Sequence, residues 1–534
     1  SMRWLASAQV GKSVAAAAYS RPIRWLTALL GEHVIPFAYA GLNSGRITRG
    51  LRPEGSPDIE IPNAGAYRQL LGGNGITLDY EERRANIQAQ LKAVAAEVDG
   101  LPLEDPALLD EVTNLVEQPT AFLGRFDEKH LQIPAPVLIT VMKKHQRYFP
   151  VIQNSNEQSP PLLPYFIAVR NGGTQHLDKV RAGNEGVLIA RYADAAFFFK
   201  ADSAKKLEEF LPRLDTLTFQ EKLGSMLDKA KRLEKLAPQI GAMLNLSDAD
   251  QQTLKRAAHL CKADLATQMV VEFTGLQGTM GYEYARLSGE TEAVASAIRE
   301  HYQPAGAGDA LPQSAPGIAL SLANRLDSLI GLSAVGLLPS GSKDPFALRR
   351  EALGLATILM QKGINFPVRA GLEKAAALIP VDVSAETLEQ TAVFAQRRLE
   401  GLLREQGFSA DVVAAALAER GDNPALAFEA AGDLQKAIAQ ENWDDLLNAY
   451  ARCVRLVRKI EEELPVDPNL ITEAAEKALY NAWRKTADAL TPESRLADVL
   501  EMIAANLIAP INTFFDDVLV MVDDEVVRNN RLAL

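Results

Sequence analysis

The sequence predicts an α+β protein that is predominantly helical, and three observations carry that prediction. Over residues 3–202, short apolar runs alternate with clusters of Gly, Pro and Asn, as expected where strands and helices are mixed. Beyond Ser203 the strand signals nearly vanish, and apolar residues recur at intervals of three and four. A chain of 534 residues, at roughly 100–200 residues per domain, holds about three to five folding units. Boundaries near 202 and 370 give a mixed α/β region over 1–202, a helical domain over 203–370 and a second helical region over 371–534.

The apolar runs at 23–26 and 166–169 read as strands. The segment 71–75, Leu-Gly-Gly-Asn-Gly, lacks the Gly-Lys-Ser/Thr of a phosphate loop and reads as a turn. Residues 80–98 are rich in Glu, Arg, Gln and Ala and predict a solvated helix, with Gly100 and Pro102 beyond its end. The polar stretch 154–161 predicts a hairpin loop between strand-like runs at 148–152 and 165–169. Leu223, Met226, Leu227, Ala230, Leu233 and Leu236 lie on one helix face. Gly363 and Pro367 break the helical pattern. Ile511, Phe514, Phe515, Val518, Leu519 and Val522 predict a last amphipathic helix, opened by Pro510. No repeat with a fixed period is present.

Composition narrows the function classes. With 47% hydrophobic and 23% charged residues the bulk of the chain is a folded one rather than disordered. Two cysteines, Cys261 and Cys453, exclude a four-cysteine zinc site and fit a reducing, cytoplasmic setting. No run approaches the ~18 to 20 apolar residues of a membrane helix, so no membrane partner is expected. Ser1-Met2 reads as a cloning remnant, and the natural chain is expected to start earlier. The six histidines include no pair at the i, i+4 spacing of a zinc protease. A net charge of -12 argues against non-specific coating of nucleic acid but leaves room for local basic faces.

Those faces are the main candidates. Lys143, Lys144 and Arg147 stand beside Tyr148 and Phe149; as exposed cations they can equally contact phosphates or simply be solvated, while Phe149, ahead of Pro150, reads as core. Arg46, Arg49 and Arg52 form a second cluster and Lys343, Arg349 and Arg350 a third. Arg452, Arg455, Arg458 and Lys459 can form one positive helix stripe that tracks phosphates, or a solvated face paired with Glu461, Glu462 and Glu463. Arg528, Asn529, Asn530 and Arg531 offer donors for phosphates and base edges. No His-x-Gly-His or Lys-Met-Ser-Lys signature is present, so adenylation would have to occur on another chain. His259, Asp264, His301 and Asp327 form a last group. Both aspartates sit at apolar helix spacing and are expected to be buried, which requires a metal, a cation or helix-end amides as partner.

Residues 206–360 resemble an HD-domain phosphohydrolase, in which a histidine, a His-Asp doublet and a later aspartate bind metal. Here the doublet position reads Lys262-Ala263-Asp264, and no histidine lies between His176 and His259, so only Asp264, Asp327 and His301 match. That ligand count is too small for a hydrolytic site, and no metal is expected. A metal-dependent phosphohydrolase acting on nucleotides or RNA stands as the alternative function.

Several longer phrases resemble the beta subunit of bacterial glycyl-tRNA synthetase, in the same order along the chain. They are Val141-Met142-Lys143-Lys144-His145-Gln146-Arg147-Tyr148-Phe149-Pro150-Val151, Gly183-Asn184-Glu185, and Arg191-Tyr192-Ala193-Asp194-Ala195-Ala196-Phe197-Phe198-Phe199. Further on come Glu272-Phe273-Thr274-Gly275-Leu276-Gln277-Gly278-Thr279-Met280-Gly281, Tyr302-Gln303-Pro304 and Lys343-Asp344-Pro345-Phe346-Ala347-Leu348-Arg349-Arg350. The C-terminal phrase is similar to the helical anticodon-binding (DALR-like) domain of arginyl-tRNA synthetase. The resemblance implies an assembly of two alpha and two beta subunits. Alpha would hold glycine, ATP and Mg2+, and beta would grip tRNA(Gly) with no cofactor or catalytic residue of its own. It also implies an HD-like domain adapted to RNA and an N-terminal part similar to the B3/B4 region of phenylalanyl-tRNA synthetase. Where the family has Gly-His-Arg-Phe, this chain reads Gly50-Leu51-Arg52-Pro53, which places any role of that loop in doubt. An N-terminal lobe and a few C-terminal residues of the family are expected to be missing.

Overall fold

The computed structural model describes residues 2–3, 18–19 and 23–534, apart from 156, 158, 159, 307, 342, 459, 461, 463, 492 and 493. Lys459, Glu461 and Glu463 therefore lie outside the described residues. The chain forms two compact units, one of 1–205 with 267–276, the other of 206–266 with 277–534. The expected boundary near 370 falls inside the second unit, at the start of the helix Val368–Ala376.

The first unit is built on a four-stranded antiparallel sheet in the order Gly100–Pro102, Phe149–Gln153, Leu162–Asn171, Pro119–Arg125. The loop between Gln153 and Leu162 is the hairpin expected from its polar sequence. Two helices, Tyr80–Ala96 and Pro106–Leu115, share a core with the sheet: Ile87, Leu91 and Ala95 meet Leu108, Leu109, Val112, Phe149, Val151 and Ile167. Each begins at an aspartate cap, with Asp79 accepting from the Glu82 amide at 3.0 Å and Asp105 from the Leu108 amide at 2.9 Å. The helix expected to be solvated thus keeps one buried stripe. The long helix Leu177–Ser203 buries Leu188, Tyr192 and Ala195, with Tyr192 edge-on to Phe126 at 5.0 Å. At its end the buried Asp202 carboxylate accepts from the amides of Gln268 and Met269, at 3.0 and 2.9 Å. Capping the helix Gln268–Glu272 in this way ties the returning segment 267–276 to the first unit.

Residues ahead of the sheet form short strands. Leu26–Thr27 pairs with Leu42–Gly45, so the run at 23–26 is a strand only at its end. The helix Tyr67–Gly73 ends in the glycine turn expected there, with Gly75 at φ +76°.

The second unit is helical, apart from a small ribbon of Thr218–Gln220 with Gly224–Ser225. Leu223, placed by sequence on a helix face, lies in that ribbon's turn; the helix Met226–Met243 starts after it because Ser225 and Asp228 form a reciprocal cap. At the centre runs the helix Ala315–Ala334, buried continuously from Pro316 to Ser333. Leu348–Lys362, Ala385–Glu405, Ala410–Arg420 and Pro424–Ile438 share a further core of Leu399, Leu403, Val412, Val413 and Ala427. The C-terminal helices Trp443–Val457, Ala474–Ala489, Leu496–Asn506, Ile508–Asp517 and Glu525–Ala533 follow. No single helix among the described residues is long and apolar enough to cross a membrane.

The last apolar stripe corrects the sequence expectation. The helix ends at Asp517, where two carboxylates face the negative end of the helix dipole. The run Val518 to Val522 is not helical: Val518 and Val520 are buried while Leu519 and Met521 are exposed, the alternation of extended chain. Val-Leu-Val-Met-Val satisfies both periods, and its β-branched residues favour the extended one.

In the sheet, Gly124 faces the ring of Phe166 so closely that a Cβ at 124 would fall inside it. A Gly124→Val substitution is expected to destabilise the first unit by about 1–3 kcal/mol through overpacking. Urea unfolding followed by circular dichroism measures this; an unchanged unfolding curve would show that Phe166 can move aside.

Candidate nucleic-acid interface

In the first unit the phrase at 141–150 turns the chain from a helix into a sheet strand. The helix Ala135–Thr140 widens into a π-helical turn over Val141–Gln146, a feature enriched at functional sites. Arg147 then takes a left-handed backbone, φ +57°, and swings the chain into the strand Phe149–Gln153. Val141 and Met142 anchor the turn in the core, leaving Lys144, His145 and Arg147 exposed. Lys143 pairs with Asp105, the cap of the Pro106–Leu115 helix, and Arg147 pairs with Glu111 at 2.9 Å. Lys144 reaches over the backbone of Gly275, so that a side chain at 275 would displace its ammonium group. The His145 ring meets the edge of Phe273 at 5.4 Å. Tyr148 is core rather than a free stacking ring: it stacks on Phe166 at 4.6 Å, and its hydroxyl donates to Asn184 Oδ1 at 2.5 Å. Burial pushes its pKa up to about 12. Asn184 is held by the Val180 carbonyl, and Glu185 accepts from the Arg125 amide at 2.9 Å. Three phrases far apart in sequence, around 145, 184 and 274, therefore meet in one place.

The four residues grouped with an HD site do not converge. His259, a third exposed, lies between Glu234 at 2.6 Å and Glu208 at 2.9 Å. Asp264 is fully buried in the short turn Ala263–Ala266, not on the preceding helix, and its Oδ2 accepts from the amides of Gly278 and Gly281 at 2.6 and 3.1 Å. Burial pushes its pKa up to about 6, against the Gly278 amide, which favours the charge. His301 donates from Nδ1 to the Ile298 carbonyl at 2.5 Å and accepts at Nε2 from the buried Lys262 ammonium at 2.8 Å. Lys262 also lies over the Tyr302 ring at 4.0 Å. Asp327 receives Arg232 through both oxygens, at 2.7 and 3.2 Å, with Lys229 at 3.5 Å. The partners required for the two buried carboxylates are thus amides for one and cations for the other. With both Asp327 oxygens held by cations, these residues do not fit a divalent metal. Sequence reasoning missed Lys229 and Arg232, which lie about one turn apart on a helix rich in charge.

The basic clusters of the second unit divide between inward and outward roles. Asp344 accepts from the amides of Leu348 and Arg349 at 2.9 and 3.0 Å and so opens the Leu348–Lys362 helix. Arg349 binds the Gly341 carbonyl, while Lys343 and Arg350 are exposed. Arg452 turns inward onto Asp516, Asn512 and the Phe515 ring, whereas Arg455 and Arg458 face outward. Arg528 donates to the carbonyls of Val522 and Asp523, Arg531 pairs with the buried Glu476 at 2.5 Å, and Asn530 accepts from the Asp467 amide at 2.7 Å. Asn529 is half-buried. Sequence reasoning passed over the helix Ala474–Ala489, which carries Lys477, Arg484 and Lys485 on its exposed side.

An acidic helical protein with its buried charges matched internally and its outward cations gathered on short surfaces has the features of a polyanion-binding protein. Comparison with known proteins is specific. Residues 1–418 match the family model described as the glycyl-tRNA synthetase beta subunit, and residues 446–534 match the DALR anticodon binding domain. The glycine–tRNA ligase beta subunit of Moorella thermoacetica is 42% identical over 527 residues, covering 97% of this chain and 75% of that one. That of Clostridioides difficile is 41% identical over 522 residues, with coverage of 97% and 75%. The chloroplastic/mitochondrial glycine–tRNA ligase 2 of Arabidopsis thaliana is 40% identical over 536 residues, covering 100% of this chain and 49% of that one. The chain belongs to the glycyl-tRNA synthetase beta subunit family.

The buried lysine makes a pH prediction. Burial pushes Lys262 down to about 8, so between pH 8 and its unfolded value near 10.4 the unfolded chain binds more protons. Stability from this group therefore rises as pH climbs through that window. Relative to Lys262→Met, the wild type is expected to gain roughly 2–3 kcal/mol between pH 7 and 10. Denaturant unfolding of both chains across that range measures it, and a constant difference would contradict the lowered pKa of Lys262.

Proposed function

We propose that this chain is the tRNA-gripping subunit of a glycine–tRNA ligase. A companion alpha subunit would carry glycine, ATP and Mg2+ and form the adenylate. The chain's own part is to hold tRNA(Gly) so that its acceptor end reaches that site, in a cytoplasmic assembly of two alpha and two beta subunits. The observation that carries this reading is the pairing of the beta-subunit family match over 1–418 with an anticodon-binding domain over 446–534 on one chain. The outward Lys343, Arg350 and Arg455 supply the phosphate-neutralising charge such a grip requires. Lys144 supplies it in the first unit, with Arg147, already paired to Glu111, beside it. Arg349, Arg452, Arg528 and Arg531 act through the contacts that shape their surfaces, and Asn529 lies beside them. The phosphohydrolase alternative is disfavoured by Asp327, whose carboxylate is bound to Arg232 and Lys229.

The test is binding of tRNA(Gly) and of an anticodon-substituted tRNA at two salt concentrations. Phosphate contacts weaken both together as salt rises, while base readout survives as a ratio. Preference for the unsubstituted tRNA at both salts is expected. Equal affinity for the two would remove anticodon reading from this chain.

A further inference from the structure

The helix Ala474–Ala489 has two sides of different chemistry. Its inner side is fixed: Ala475 and Leu479 enter the core with Phe514, Val518 and Val520. Glu476 on that side is buried and accepts from the amides of Thr472 and Glu473 and from Arg531. The helix therefore cannot turn about its axis without breaking a buried ion pair. Its outer side carries Lys477, Arg484 and Lys485, all exposed, and none of them forms an ion pair among the described residues. Lys477, Asn481 and Arg484 fall on one line at three- and four-residue spacing. Along the flank of that line stand Tyr480 and Trp483, with ring centroids 6.0 Å apart and planes inclined by 32°. The Trp483 indole is 46% exposed. Trp483 also lines an apolar cavity of about 270 Å³ with Leu456, Val457 and Leu479.

We propose that this face is a stacking platform for unpaired bases of a single-stranded RNA loop, with Trp483 as the principal stacking surface and Lys477, Arg484 and Lys485 on the phosphates. The assignment rests on the tRNA-binding reading and adds to it the residues that meet the loop. Three cations without an ion pair among the described residues, beside the exposed Trp483 and the half-buried Tyr480, are a combination that binds single strands: every base has a π-face to stack, and each phosphate neutralised releases counterions. A protein partner fits the face less well, because lysine is depleted from the cores of protein interfaces. The cavity is smaller than the ~300–1,000 Å³ of pockets that enclose whole small molecules, and suits the edge of one ring.

The experiment uses the full 534-residue chain and tRNA(Gly) transcript at two salt concentrations. Trp483→Ala is expected to weaken binding on the order of tenfold, and Trp483→Phe to restore most of it. The Lys477→Ala, Arg484→Ala and Lys485→Ala triple variant is expected to reduce the slope of log affinity against log salt by about 2. RNA should quench tryptophan fluorescence in the wild type and lose most of that quenching in Trp483→Phe. If the wild type binds tRNA while Trp483→Ala and the triple variant bind as it does, with the same salt slope, the platform is overturned and the tRNA-binding reading stands. If the wild type binds no tRNA, that reading falls and the platform with it.

Discussion

The second unit depends on how two charges on a fully buried helix are matched. Ala315–Ala334 is surrounded on every side from Pro316 to Ser333, yet it carries Arg325 and Asp327. Neither can be left unpaired without a cost of several kcal/mol. Asp327 is met by Arg232 and Lys229 from the Met226–Met243 helix, and Arg325 by Glu351 from Leu348–Lys362 at 3.0 Å. Lys229 is further held by Ser328 at 2.5 Å and by the Phe219 ring at 4.4 Å. These contacts set the register of the two flanking helices against the central one, which apolar packing alone specifies less strictly.

The same matching decides what the buried polar residues can do. Asp264 is held by backbone amides, His301 by a lysine, and Asp327 by a guanidinium and an ammonium. Groups that in another setting would hold a metal are here part of the frame. The outward cations are a separate set: Lys144, Lys343, Arg350, Arg455 and the outer side of Ala474–Ala489 project positive charge from an otherwise acidic protein. Local sign rather than net charge governs such contacts once a partner is within about a Debye length.

Much of this was legible in the sequence, and the reasons are particular. The predominantly helical α+β class, the helix beginning at Tyr80, the hairpin around 154–161 and the break at 363–367 follow from period and from turn residues, which are local signals. The burial of Asp327 followed from its spacing among apolar residues, whereas Asp264 is buried in a turn beyond the helix on which that spacing placed it. The identity of their partners did not, because Arg232 and Asp327 are 95 residues apart and nothing in either neighbourhood marks the pair. The inward turn of Arg452 and Arg531 was hidden for the same reason, since Asp516 and Glu476 lie 64 and 55 residues away. The extended run after Asp517 was misread because its residues fit two periods at once. The exposed face of Ala474–Ala489 was readable in principle: its cations recur at helical spacing, but only burial shows which side of the helix they share.

On the proposed function, the chain grips tRNA through its outward cationic faces while its buried charges serve the fold. Ultraviolet cross-linking of tRNA(Gly) to the chain, followed by mass spectrometric mapping of nucleotide-bearing peptides, locates that grip. Cross-links within the exposed side of Ala474–Ala489 and around Lys343 and Arg350 are the result this account requires. Cross-links absent from both segments, in a sample where tRNA is bound, would contradict it.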